Sequence, residues 1–130
     1  MGGFFGVASR AENISDLFYG TDYHSHLGTK RGGLAVVRPE GLVKSIHNIE
    51  NTQFRAKFDP DLGGLTANLG IGVISDSDNQ PIVIHSHLGR FAVVTVAAIK
   101  NMDALVRRVF RERRIHFAES MGGGVNPTEL

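Results

Sequence analysis

Apolar positions along the chain fall into short runs separated by polar or glycine-rich punctuation, and their period changes from one stretch to the next. Gly3 to Ser9 is rich in Phe and Val and is bounded by Gly2 and by Arg10-Ala11-Glu12-Asn13, which predicts a buried strand. Asn13 or Ser15 then caps a helix that carries Leu17, Phe18 and Tyr19 toward His26, with Gly28 as its stop. Gly33 to Arg38 and Leu42 to Ile49 flank Pro39-Glu40-Gly41, the pattern of a hairpin. Thr52 to Leu65 spaces Phe54, Phe58 and Leu62 four apart but contains Pro60 and Gly63-Gly64, so it predicts a weak helix or an irregular loop. Leu69 to Ile74, Pro81 to His85 and Phe91 to Ile99 predict three strands of a sheet core, separated by Ser75 to Asn79 and by Leu88-Gly89-Arg90.

Asn101 caps a further helix through Val106, Val109 and Phe110, with Asp103 in its first turn and arginines toward its end, both matched to the helix dipole. His116 to Glu119 predicts one more strand. Thr128 caps a helix that the last residues only begin, so the chain is expected to be cut from a longer one. Strand runs with helices between them indicate an α+β class in one domain spanning residues 1–130.

Composition narrows the function. Apolar residues make up 42% of the chain and charged residues 21%, the balance of a folded globular protein. A formal net charge of +1 gives no field that would steer the chain to nucleic acid or an anionic membrane, although Arg107, Arg108, Arg111, Arg113 and Arg114 form a local basic cluster. That cluster matches a solvated, dipole-matched helix end, with phosphate or partner binding as the lesser alternative. No signal-peptide pattern opens the sequence and no run approaches the ~18 apolar residues of a membrane span, so the expected location is the cytoplasm. The chain has no cysteine, which removes disulfides, thiolate metal sites and thiol nucleophiles from the inventory.

The candidate chemistry is sparse. His24/His26 and His85/His87 are H-x-H pairs, and alternate residues of a strand share a face, but on a helix they diverge and no carboxylate stands at ligand spacing. No metal site is therefore assigned. Asp76-Ser77-Asp78-Asn79 opens like a calcium loop, yet Pro81 and His87 stand where that loop needs glycine and glutamate; a polar turn accounts for the same residues. The glycines match neither a P-loop nor a dinucleotide fingerprint, and no cofactor is expected.

The order of features is nevertheless specific. A glycine-rich apolar strand at the start is followed by Asp16-Leu17-Phe18-Tyr19-Gly20, His26-Leu27-Gly28, Gly33-Leu34-Ala35, Leu69-Gly70-Ile71-Gly72 and Asn79-Gln80-Pro81. This series resembles the glutaminase domain of the amidophosphoribosyltransferase family, a class II glutamine amidotransferase of the N-terminal nucleophile (Ntn) hydrolase type, across essentially the whole chain. The resemblance implies a layered αββα sandwich of antiparallel sheets, of which these residues form an incomplete N-terminal part. It also implies a phosphoribosyltransferase-like domain downstream and a role in purine biosynthesis.

The same resemblance shows which catalytic parts this sequence lacks. The family's Met-Cys-Gly-x-x-Gly opening stands as Met1-Gly2-Gly3-Phe4-Phe5-Gly6, so Gly2 occupies the position of the nucleophilic cysteine. The His-Arg-Gly segment appears as His26-Leu27-Gly28. The arginine that holds the substrate carboxylate has become Ser75, and the Asn-Gly oxyanion donors align with Val96 and Ala97. Loss of one such donor typically costs ~10²–10³ in rate. The aspartate for the substrate amino group aligns with Pro127.

The expectation is a degenerate amidotransferase-like domain with a structural, regulatory or docking role and no glutaminase activity. One alternative is a small-molecule sensor that uses the old pocket, lined by Ser75, Asp76, Thr95 and Val96. Another is an active amidotransferase with a non-cysteine nucleophile, for which Ser9, Ser15 or Thr21 would have to be exposed by processing. A cut domain of this type is expected to leave apolar surface that homo-oligomerisation would bury.

Overall fold

In the computed structural model, residues 2–27, 30–76, 78–113, 116–118, 120–121 and 124–130 are described. Strands β1 (Gly3–Ala8), β2 (Arg31–Arg38), β3 (Gly41–Asn48) and β4 (Leu69–Ser75) form one antiparallel sheet in the order β1-β4-β2-β3. The β2–β3 connection is the predicted hairpin, closed by Pro39-Glu40 between the paired Arg38 and Gly41.

Register decides what each face carries. Phe5 and Val7 of β1, Ile74 of β4, Leu34 and Val36 of β2, and Val43, Ser45 and His47 of β3 share one face, because alternate residues point the same way. Helices α1 (Ile14–Tyr23) and α2 (Phe54–Leu62) lie over that face. Leu17 and Phe18 from α1 join Phe54 and Phe58 from α2, with Leu34, Val36, Ile49 and Ile74 beneath them, as the core. Phe54 and Phe58 stack at 4.3 Å between ring centroids.

That stack explains how a segment with weak helical preference becomes helix. Pro60 lies inside α2, where it removes a backbone bond at a cost of about 3 kcal/mol. Complete burial of each phenylalanine contributes about 1.5–3 kcal/mol, enough to offset it. On α1 the α-helical hydrogen bonding stops at Tyr23, and His24–Leu27 continue as a 3₁₀ turn rather than the single helix to His26 that the pattern predicts. Gly28, its expected stop, lies outside the described residues.

The later chain departs most from expectation. The strand predicted over Pro81 to His85 is β5 (Ile82–Ser86), and the one predicted to Ile99 ends early, as β6 (Gly89–Val93). Together they form a separate two-stranded hairpin rather than the centre of a sheet. Residues 94–99 have no ladder because the backbone of Thr95 is bonded by the side chain of Gln80 instead.

Helix α3 (Met102–Arg113) begins where predicted, with the Asn101 carbonyl accepting from Ala104 and Leu105 N–H. His116 to Ala118 is not strand; the chain instead pairs β7 (Ser120–Met121) with β8 (Gly124–Val125), and Glu119 lies outside the described residues. Thr128 does not act as a cap: it stands in a turn in which Asn126 Oδ1 accepts its N–H. Antiparallel sheets with helices make the class α+β, as expected. No helix among the described residues is long and apolar enough to cross a membrane.

Candidate functional site

The start of β1, the end of β4, the start of β2 and the end of β3 meet at one end of the main sheet, because all four strands run antiparallel in the register above. Gly2 and Ser75, two of the residues singled out by sequence, lie at this end, and Thr95 is tied to it through Gln80. Gly2 precedes β1 and lies against the last residues of β4. A Cβ built on it would stand 1.9 Å from the Ile74 carbonyl oxygen, 2.8 Å from the Ile74 carbonyl carbon and 3.2 Å from Ser75 Cα. All three are backbone atoms of a strand that is paired on both sides, so position 2 has no room for any side chain in this arrangement.

Ser75 is buried, and its hydroxyl donates to the Asp78 carbonyl at 2.6 Å. This closes the polar turn that follows β4 and places Asp76 on its exposed outer side. The next residues are fixed in turn. Asn79 carbonyl accepts from Asn126 Nδ2 at 3.2 Å, and Asn126 is 1% exposed. Gln80, also buried, clamps Thr95 from both sides: its Oε1 accepts the Thr95 N–H at 2.6 Å and its Nε2 donates to the Thr95 carbonyl at 3.0 Å.

The Gln80–Pro81 peptide is cis and lies on the second face of the sheet, against β2. A Cβ on Gly33 would come within 1.7 Å of the Gln80 carbonyl oxygen and 2.7 Å of Pro81 Cδ. The absent side chain at Gly33 is what lets the 78–81 segment approach a central strand.

Gly2, Ser75 and Thr95 are thus linked through residues 78–80, while Val96 and Ala97 follow Thr95 as exposed, irregular chain. Sequence reasoning noted Asn79-Gln80-Pro81 only as part of a resemblance. The two-bond role of Gln80 and the anchoring by Asn126 carry no local sequence signal, since their partners lie 15 and 47 residues away.

A cavity of about 360 Å³ opens at the same end on the helix side, lined by Asp22, Ser25, His26, Thr52, Gln53 and Arg55 among others. Asp22 is 4% exposed and accepts from Arg55 Nε at 2.7 Å, with Ser25 Oγ at 3.3 Å on its other oxygen. The charged carboxylate stays buried because it is paired and hydrogen-bonded.

A second polar group lies farther along the helix face, where Ser45 and His47 of β3 meet Asp61 in the last turn of α2. The Ser45 hydroxyl donates to Asp61 Oδ2, and His47 Nε2 approaches the same oxygen at 2.5 Å. Hydrogen bonding from Ser45, then from His47, holds the Asp61 carboxyl below the ordinary carboxylate range. Serine and imidazole here compete for one carboxylate oxygen. This is unlike a nucleophile–base–orienter relay, in which the carboxylate takes the other ring nitrogen.

Of the H-x-H pairs, His24 and His26 lie in the 3₁₀ turn, His85 is the penultimate residue of β5 and His87 is in the hairpin turn. Among the described residues no three His, Asp or Glu side chains come together to hold a metal ion. The Asp78 carbonyl is engaged by Ser75, as in the polar-turn reading of that segment; Ser77 lies outside the described residues.

The sequence matches no protein-family model, and no curated protein is significantly similar to it. The fold, by contrast, is similar to a solved structure described as the allosteric regulatory enzyme of purine biosynthesis, an amidophosphoribosyltransferase, with a TM-score of 0.72 at 18% identity. That similarity covers 89% of this chain and 26% of the other, so the chain spans about a quarter of the enzyme's length and shares the fold of that part.

Proposed function

We propose that this chain is a degenerate class II glutamine amidotransferase-like domain: it keeps the Ntn-type layered scaffold of an amidophosphoribosyltransferase-related protein and serves for structure, regulation or docking in the cytoplasm, without hydrolysing glutamine. The observation that carries this reading is the packing at position 2. A nucleophile there needs a side chain, and the Ile74 carbonyl occupies the place of its first atom. The missing thiol agrees with this, since the sequence offers no cysteine at any other position.

The polar groups nearby support the same reading. The Ser75 hydroxyl and both backbone groups of Thr95 already have partners within the protein. A working amide hydrolase holds free donors ready for the developing oxyanion. In this proposal the domain precedes a phosphoribosyltransferase-like domain and homo-oligomerises through apolar surface such as Phe4, 59% exposed on the sheet face away from the helices.

The test is glutamate release from glutamine by the purified chain, with an amidotransferase that carries the N-terminal cysteine as positive control. Release at background is expected. Turnover above background would overturn the proposal in favour of a hydroxyl or water nucleophile.

A second reading, a small-molecule sensor at this end of the sheet, is favoured by the cavity beside Asp22, His26 and Arg55, which Ser75, Asp76, Thr95 and Val96, the residues expected to line such a pocket, do not line. It predicts a raised melting temperature in a screen of amino acids and nucleotides, because a ligand that binds only the folded state stabilises it.

A further inference from the structure

We infer that the opposite end of the sheet holds a separate binding site for a small carboxylate with an apolar tail, in the wedge between the second sheet face and the β5–β6 hairpin. A cavity of about 260 Å³ lies there, with Ala35, Val37, Leu69 and Ile71 on the sheet side and Phe91 and Arg90 on the hairpin side. Val37, Leu69 and Phe91 are 43%, 45% and 39% exposed, so three of the large apolar groups that the fold leaves in water line this one wedge. Such a concentration of apolar surface marks a site more often than scattered exposed residues do.

Arg90 sets the chemistry of the occupant. Its guanidinium lies over the β2–β3 turn, with Nη1 3.2 Å from where a Cβ on Gly41 would stand. It makes no hydrogen bond or ion pair with any described residue. An unpaired planar cation at the rim of an apolar wedge complements a carboxylate, which it can hold through two parallel N–H bonds, while the tail displaces water from Leu69 and Phe91. The volume lies just below the usual range for small-molecule pockets, which fits a medium-chain acid rather than a long lipid. The site shares no residue with the Gly2–Ser75–Thr95 end and does not depend on the function proposed for it.

The experiment is calorimetric titration of the whole chain with sodium octanoate, beside 1-octanol and acetate as tail-only and head-only probes. Octanoate should bind saturably and more tightly than either control. Arg90→Ala should weaken octanoate by about tenfold or more and leave octanol unchanged. Leu69→Glu, which places a carboxylate in the wall at an exposed position, should abolish binding while circular dichroism shows an unaltered fold. Absence of saturable octanoate binding to the wild type, or wild-type affinity in Arg90→Ala, would overturn the inference. So would a wild-type dimer that ignores octanoate and becomes a monomer with Leu69→Glu, because a second copy would then be the occupant of the wedge.

Discussion

Replacing Gly2 tests the physical basis of the proposed loss of activity. In Gly2→Ala the new methyl would start 1.9 Å from the Ile74 carbonyl oxygen and 2.8 Å from its carbon. Neither atom can move alone, since β4 is paired to β1 on one side and β2 on the other. The first residues of β1 must therefore lift away, giving up the Gly3–Ile74 pairing. Overpacking of this kind costs about 1–3 kcal/mol. For a domain of this size that corresponds to a fall in melting temperature of about 4–12 °C.

Gly6→Ala on the same strand is the control. Its Cβ would meet nothing nearer than Ile71 Cγ2 at 3.7 Å, and the loss of glycine freedom in the unfolded chain should make it neutral or slightly stabilising. Gly2→Cys should melt like Gly2→Ala and release no glutamate from glutamine. Melts followed by circular dichroism, with a glutamate assay on the cysteine variant, decide the matter. If Gly2→Ala melts within about 1 °C of wild type, or Gly2→Cys hydrolyses glutamine, the packing argument is wrong.

Gln80→Ala removes both bonds to Thr95 and should destabilise by about 2–4 kcal/mol in urea unfolding, because two backbone groups lose their partner. Gln80→Glu keeps the shape but sets a carboxylate against the Thr95 carbonyl. The protonated form can still donate, so its folded pKa rises; stability should match wild type below about pH 4.3 and fall as pH rises through the raised value. Asp61 has the opposite sign. Its depressed pKa contributes stability above the unfolded value of about 3.9 that is lost as pH falls through the lower folded value, so Asp61→Asn should flatten the acid limb of the stability–pH curve. Arg55→Ala leaves Asp22 buried without its cation and should cost about 1–3 kcal/mol, less than a fully buried pair because the arginine side chain is 60% exposed; Arg55→Ala/Asp22→Asn should recover much of it.

The first three-fifths of the chain was legible because local pattern and tertiary packing agree there. The β2–β3 turn has its residues at the turn itself, and β1 forms where a run rich in Phe and Val predicts a strand, although only its Phe5 and Val7 face packs on the core and the other face, with Phe4, is exposed. Helix α2 was only half legible, since the favourable term, Phe54 stacked on Phe58 over the sheet, is tertiary, while the unfavourable Pro60 is plain in the sequence. Beyond Asn79 the pattern holds for β5 and for the start of α3 but misleads between and after them. Phe91 to Ile99 has strand composition throughout, but one side chain 15 residues away takes the hydrogen bonds of Thr95 and ends the ladder early. At the candidate site, the sequence identified Gly2 and Ser75 through a resemblance, and no spacing argument would have found Gln80 or Asn126.

The two ends of the sheet carry their polar groups in opposite states, and that contrast bears on where chemistry can occur. Around Gly2 the Ser75 hydroxyl is bonded to the Asp78 carbonyl and the Gln80 amide to the backbone of Thr95, and backbone fills the space a nucleophile would need. A substrate arriving there would have to break these bonds before making its own, and each buried group left unmatched would cost about 1–3 kcal/mol. At the other end Arg90 has no partner among the described residues and stands beside apolar walls still facing water, so a complementary ligand gains contacts and gives up only solvent. On these grounds a binding activity is more to be sought at Arg90 than at Gly2, and titrating octanoate and glutamine in parallel would separate the two ends.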